Sequence, residues 1–259
     1  MTTALQRAAI VTGASRGIGL AIARVLASEG FGLTIAARGA DDLAAAKAEL
    51  KALGVEVQAV PTNVAHESDI ARMVSEHERA FGRLDVLVNN AGMGIRAPLA
   101  ETTTKYLDLQ IAVNLRSVVL AYREAELLLR QAGTEHGQAL VVNVASISGK
   151  VGTPDLSVYS ATKHGVVGFT DAMNRELYAA GIRSCVLCPG LVDTPLSDYA
   201  KGHLPSSQMI NPSDIGEAVR FLLRVSPACS IPELIFMESA ALGLLSVPAQ
   251  TSDVIATSA

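Results

Sequence analysis

Thr12-Gly13-Ala14-Ser15-Arg16-Gly17-Ile18-Gly19 stands between two apolar runs, 8–12 before it and 20–26 after it. The first run has the length of a buried strand and the second the composition of a packed helix. Glycines at such a junction permit a tight turn and a close backbone approach, while the free amides of a helix start can hold an anionic pyrophosphate. Alone, the cluster is also what any strand-to-helix turn would show. Its place between this strand and this helix favours nucleotide binding.

Outward from that junction, short apolar runs alternate with helical patterns. Strands are expected at 8–12, 32–37, 55–61, 84–89, 139–144, 184–187 and 233–237. Helices are expected after Asp41-Asp42 and at 67–81, 103–131, 158–180 and 213–223. Seven strands in βα alternation define an α/β chain: a single Rossmann-type doubly wound domain over 1–259, with a seven-stranded parallel sheet flanked by helices. The stretch 193–212 is polar, punctuated by Pro and Gly, and long enough to act as a substrate lid. The small-residue tail at 240–259 is expected to be disordered over its last ten or so residues.

With 259 residues, 49% of them hydrophobic and 18% charged, the chain can bury a sizeable core. A formal charge of −4 gives no electrostatic reason to seek phosphate backbones or anionic lipid, so neither nucleic acid nor membrane is expected as a partner. Mean hydropathy is +0.33, yet each apolar run is far shorter than the roughly 20 residues that span a bilayer. The first strand begins too early to leave room for a secretory signal, so a cytoplasmic location is expected. Cys185 and Cys188 form a lone CxxC, but residues three apart in a strand face opposite sides, and both read as core. His66, His77, His136 and His203 show no ligand spacing, and His164 points about 100° away from its neighbour Lys163 and reads as a packing residue. No metal is expected.

Tyr159 and Lys163 lie four apart in a helical stretch, hence on one face within reach of each other. A free phenol, with a pKa near 10, is a poor base at neutral pH, and a nearby ammonium lowers that value. A lone YxxxK is a common accident of helical sequence. Its weight here comes from company: Ser146, thirteen residues before Tyr159, Asn114 further upstream, and the glycine loop.

The spacing GxxxGxG, then Asn89-Asn90-Ala91-Gly92, Val113-Asn114-Leu115, Ser146, Tyr159-Ser160-Ala161-Thr162-Lys163, and Pro189-Gly190 followed by Thr194, resembles the short-chain dehydrogenase/reductase family over residues 5–237. The resemblance implies a catalytic set of Asn114, Ser146, Tyr159 and Lys163. Tyr159 hands a proton to a carbonyl oxygen, Ser146 holds that oxygen, Lys163 binds the nicotinamide ribose, and Asn114 retains a water for proton resupply. It also assigns Gly13, Ser15, Arg16, Gly17, Ile18 and Gly19 to the cofactor phosphates, and Asn63 and Val64 to the adenine. Asn90, Ala91 and Gly92 pass beneath the ribose, Pro189, Gly190, Val192 and Thr194 flank the nicotinamide, and Asn89 braces neighbouring strands.

NAD-dependent enzymes usually carry a carboxylate at the end of the second strand, where it binds the ribose 2′-OH. Ala37 occupies that place here, followed by Arg38. With Arg16, Arg38 can clamp a 2′-phosphate, so NADP(H) is the expected cofactor. Met93, Gly94, Ile95, Ile147, Ser148, Leu191, Leu196 and Tyr199 are expected on the substrate side. They are mostly apolar and suit a neutral ketone or aldehyde and its alcohol. Expected activity is thus NADP(H)-dependent carbonyl reduction or alcohol oxidation. A 3-oxoacyl-[acyl-carrier-protein] reductase ranks second, because Glu135-His136 and Ala180 stand where those enzymes are often basic. A non-catalytic NADP-binding sensor ranks third. In this family the helices at 103–131 and 158–180 pair between subunits, which implies a homodimer or homotetramer. After 233–237 the family commonly ends in glycines, whereas this chain reads Glu238-Ser239-Ala240-Ala241.

Overall fold

The computed structural model describes residues 7–239, so the expectations for the 240–259 tail and for residues 5 and 6 lie outside the described residues. Seven parallel strands form one sheet: β1 (Ala8–Thr12), β2 (Gly32–Ala37), β3 (Val57–Pro61), β4 (Val86–Asn89), β5 (Ala139–Val144), β6 (Ile182–Pro189) and β7 (Glu233–Phe236). Their order, β3-β2-β1-β4-β5-β6-β7, reverses direction between β1 and β4. A crevice opens at such a switch point, outside the carboxyl ends of the strands.

Every residue of β1 and β5 is buried, as a strand covered by helices on both faces must be. Alternate residues feed opposite cores. Ala9 and Val11 join Ile22, Leu26, Leu43, Leu50, Val219 and Leu222 from α1 (Gly17–Ser28), α2 (Ala40–Lys51) and α7 (Pro212–Arg224). Ile10, between them, points to the other layer, with Ile70, Met73, Leu120 and Leu128 from α3 (Glu67–Phe81) and the helix Ser117–His136. The strand period of two thus assigns each side chain to its layer.

Some expected boundaries shift. β3 and β4 start two residues later than expected, and β6 runs longer because it pairs with β5 on one side and β7 on the other. The expected single helix at 103–131 is three pieces: α4 (Thr104–Ile111), a π-helical turn (Ala112–Arg116) and α5 (Ser117–His136). A π turn inserts one extra residue and rotates the helix beyond it, and it commonly marks a functional position. Asn114 sits inside it. Helix α6 spans Ser157–Glu176 and gives way to a 3₁₀ turn at Tyr178–Ala180.

Most buried polar groups are paired, the exceptions among the described residues being Gln58 Oε1, Arg183 Nε and Glu233 Oε1. Asn89 Nδ2 donates to Asn143 Oδ1 at 2.9 Å, and Asn143 Nδ2 to Thr170 Oγ1 at 2.9 Å, tying β4, β5 and α6 together. His77 donates from Nε2 to Arg83 O and is bonded through Nδ1 to Thr34 Oγ1, each at 2.8 Å. Burial lowers its pKa to about 4, as befits a neutral core histidine. Cys185, Cys188 and Cys229 are free thiols, the first two buried in β6. Among the described residues no group of three or more His, Cys, Asp or Glu is placed to hold a metal ion, and no helix is long and apolar enough to cross a membrane.

Candidate active site

At the carboxyl edge of the sheet a cleft of ≈ 800 Å³ runs from the β2–α2 turn to the segment after β6. Its floor is the glycine loop. Gly13 and Gly17 have φ of +66° and +58°, and side chains there would collide: a Cβ on Gly13 would fall 2.7 Å from Asn90 Nδ2, one on Gly17 3.0 Å from Thr194 Cγ2. A Cβ on Gly19 would run into Gly13 O. Three missing side chains therefore let α1 start directly against the loop, leaving its first amides open to the cleft.

The loop is fastened by a residue whose part was not legible in the sequence. Thr12 Oγ1 donates to Val88 O at 3.2 Å and accepts from the amides of Asn90 and Ala91 at 3.0 and 3.1 Å. Asn90 Nδ2 in turn donates to Thr12 O and Gly13 O. A lone hydroxyl ending an apolar strand was the only signal.

At the β2–α2 end the wall holds Arg38, Asn63 and Val64, with Arg16 on the same wall. Both arginines are exposed, and neither has an ion-pair partner among the described residues. Asp42 lines the same end; the sequence had identified it only as part of a helix start. Ala37 also lines the cleft and brings no carboxylate to the end of β2. Backbone cradle, uncompensated guanidiniums and absent carboxylate together fit a phosphorylated dinucleotide with a 2′-phosphate.

At the other end Ser146, Tyr159 and Lys163 share the wall with Gly92, Met93, Pro189, Gly190, Val192, Thr194 and Leu196. Lys163 is buried, its Nζ donating to Val144 O at 2.9 Å and lying 5.6 Å from the centre of the Tyr159 ring. Burial pulls its pKa down to about 8. The sequence suggests that Lys163, together with the positive nicotinamide of the oxidised cofactor, lowers the Tyr159 pKa. Among the protein's own groups, burial instead raises it, outweighing the Ser146 hydroxyl, which pulls it back down, while Tyr199 adds to the rise. Both groups are thus held toward their neutral forms by the same dry surroundings. Gly92 lies beside Lys163 and Asn114: a Cβ there would be in ordinary contact with Lys163 Nζ at 3.4 Å and Asn114 Oδ1 at 3.6 Å.

Asn114 does not line the cleft. Its amide brackets the Met93 backbone, accepting from Met93 N at 2.9 Å and donating to Met93 O at 2.8 Å, with a further bond to Thr162 Oγ1 at 3.2 Å. It therefore fixes the loop that faces Lys163. Ile95, Ile147, Ser148, Leu191 and Tyr199 are also off the wall of the cleft. Ser148 bonds Thr153, Ile95 donates its amide to Gln110, and Tyr199 lies under the Arg96 guanidinium, 5.1 Å from its ring centre. Ala36, Thr62, Val113, Val144, Pro195 and Ser197 line it without having been expected.

Residues 193–212 fold into two 3₁₀ turns, Pro195–Ala200 and Ser206–Gln208. A single bridge between Val192 and Ile210 closes the segment on itself. Its root is held by Glu238, whose carboxylate accepts from Leu191 N. Gly190 leaves the space, for a Cβ there would fall 2.6 Å from Glu238 Oε1.

The profile of the short chain dehydrogenase family matches residues 7–203. A putative ketoacyl reductase of Streptomyces coelicolor is 36% identical over 246 residues, covering 86% of this chain and 92% of its own. A 3-oxoacyl-[acyl-carrier-protein] reductase of Staphylococcus aureus is 34% identical over 84% of this chain and 91% of its own. Among solved structures, an actinorhodin polyketide ketoreductase with NADPH superposes with a TM-score of 0.83 at 33% identity, covering 92% of this chain and 98% of that one. An alcohol dehydrogenase of Thermococcus sibiricus with 5-hydroxy-NADP gives 0.82 at 30% identity, covering 90% and 97%. This chain belongs to the short-chain dehydrogenase/reductase family and is an oxidoreductase with that family's Rossmann-type fold.

Proposed function

We propose that the protein interconverts a neutral ketone or aldehyde and its alcohol with NADP(H), using Tyr159 as general acid/base. The observation that carries this is one continuous cleft with a phosphate cradle at one end and Ser146, Tyr159 and Lys163 converging at the other. Arg16 and Arg38 hold the 2′-phosphate, Gly13, Ser15, Gly17, Ile18 and Gly19 the pyrophosphate, and Asn63 and Val64 the adenine. Asn90, Ala91, Gly92, Pro189, Gly190, Val192 and Thr194 seat the nicotinamide half. When bound, NADPH supplies hydride to the carbonyl carbon.

The chain's own part is the proton. Tyr159, kept protonated by burial, donates from its hydroxyl to the carbonyl oxygen that Ser146 positions. Lys163, with its pKa near 8, lies within reach of both protonation states and restores the proton, and Asn114 holds the Met93 loop against it. Residues 193–212 close over the substrate, and Met93 and Leu196 make its apolar wall. The exposed apolar side chains Leu107 and Ile111 on α4 and Val119 and Leu127 on α5 suit pairing in a homodimer or homotetramer. Free thiols suit a reducing, cytoplasmic setting.

A second reading, reduction of a 3-oxoacyl thioester, is favoured by the ketoacyl reductase names of the relatives. NADPH consumption across a panel of ketones, aldehydes and acetoacetyl thioesters tests both. Turnover of plain carbonyls supports the first, and turnover confined to thioesters replaces it with the second. Tight NADPH binding with no turnover at all refutes both in favour of a sensor.

A further inference from the structure

At the opposite edge of the sheet, where the strands begin, an open cavity of ≈ 200 Å³ is lined by Arg7, Phe31, Asp85, His136, Gln138 and Arg183 among others. A single ordered water needs only about 10–15 Å³ of such space, so the cavity has room for a polyatomic ion. None of these residues belongs to the nucleotide cleft.

Its charges do not balance. Arg183, near the start of β6, donates from Nη1 to Ser226 O at 3.1 Å and Cys229 O at 2.9 Å, and from Nη2 to Gln138 Oε1 at 2.7 Å. Its Nε is buried with no partner. The guanidinium is thus held by neutral oxygens alone, and burial draws its pKa below the usual arginine value. Arg7 lies over the Phe31 ring, 4.3 Å from its centre, and meets no carboxylate among the described residues.

The one carboxylate on the wall is already engaged. Asp85 receives Arg83 Nε at 2.8 Å, Arg83 Nη2 at 2.6 Å and the Ala8 amide at 2.8 Å. Glu135, behind it, pairs with Arg83 at 3.2 Å, and His136 Nε2 accepts from Arg83. On the wall itself Arg7 and Arg183 therefore face a single carboxylate, Asp85, which is already paired with Arg83. A partly buried cation without a counter-ion is costly, and an anion in the cavity relieves that cost. The planar fork of arginine matches a phosphoryl group, and an unused Nε–H is a donor in waiting.

We propose that this cavity binds a small phosphorylated anion, with Arg7 and Arg183 as its counter-charges. Because the site lies at the strand starts and the nucleotide cleft at the strand ends, both can be filled together. The full chain, saturated with NADP⁺ so that its cleft is occupied, is titrated calorimetrically with pyrophosphate. Saturable binding is expected, weakened at least about tenfold in Arg183→Gln, as loss of a charge-assisted bond requires. Should that variant disturb the Ser226–Cys229 turn, Arg7→Gln, at an exposed side chain, is expected to weaken binding while NADPH turnover stays unchanged. No saturable heat, or affinity unaltered in both variants, overturns the site. Malonate bound as tightly as pyrophosphate overturns the phosphoryl assignment.

Discussion

Replacing Lys163 by Met removes a buried ammonium whose pKa the fold has drawn from 10.5 to about 8. Below pH 8 the folded protein keeps Lys163 charged where burial resists charge, and that penalty is fully present. From about pH 8 towards 10.5 the folded form has released a proton that the unfolded chain still binds. Wild-type stability therefore rises relative to Lys163→Met through that window. At about 1.4 kcal/mol for each pH unit, the gain reaches about 3 kcal/mol. The lost bond from Nζ to Val144 O offsets the two proteins by a further ~1 kcal/mol at every pH and leaves the slope untouched. Tyr159 works in the opposite sense above pH 10, because burial keeps its phenol protonated when the unfolded one ionises, but it is common to both proteins and cancels. Urea unfolding at pH 7, 8, 9 and 10, at one protein concentration and without nicotinamide, measures the difference. Parallel stability curves would refute the reasoning, as would a wild type that loses ground to the variant.

Tyr159→Phe is expected to lower kcat by roughly 10²-fold or more while NADPH still binds, as loss of a general acid requires; near-normal turnover would sink its assigned role. Gly19→Ala forces a methyl into Gly13 O, and an overpacked loop of this kind is expected to cost about 1–3 kcal/mol. Its Tm and its Kd for NADPH should both worsen, and an unchanged Kd would show that the cradle does not hold the cofactor. Arg38→Gln should cut kcat/KM with NADPH by roughly 10- to 100-fold, the worth of a charge-assisted bond, and leave NADH unaffected. Equal loss with both cofactors would speak for a structural role instead.

The parallel sheet and its alternation with helices were legible because the strands are short, mostly apolar runs, so that 8–12, 32–37 and 139–144 match β1, β2 and β5 residue for residue. The break in the long fourth helical stretch was not, since a π turn changes which way side chains point without changing composition. That turn is what aims Asn114 at Met93. The tie from Thr12 to Asn90 and Ala91 spans 78 and 79 residues in sequence, and no local pattern could announce it.

What the sequence determined by itself is the order of chemical parts: a glycine loop after the first strand, a Ser146–Tyr159–Lys163 series at fixed intervals, and no carboxylate at the end of the second strand. Local spacing and residue type suffice for these, because they arise within one turn, one helix face or one strand end. Only the tertiary structure decided the electrostatics. Whether Lys163 lowers Tyr159 or burial draws both toward their neutral forms depends on how much water the packed walls exclude, and whether Arg183 has a counter-ion depends on where Asp85 is already spent. Such quantities belong to groups brought together from distant strands, and they exist only once the chain has closed around them.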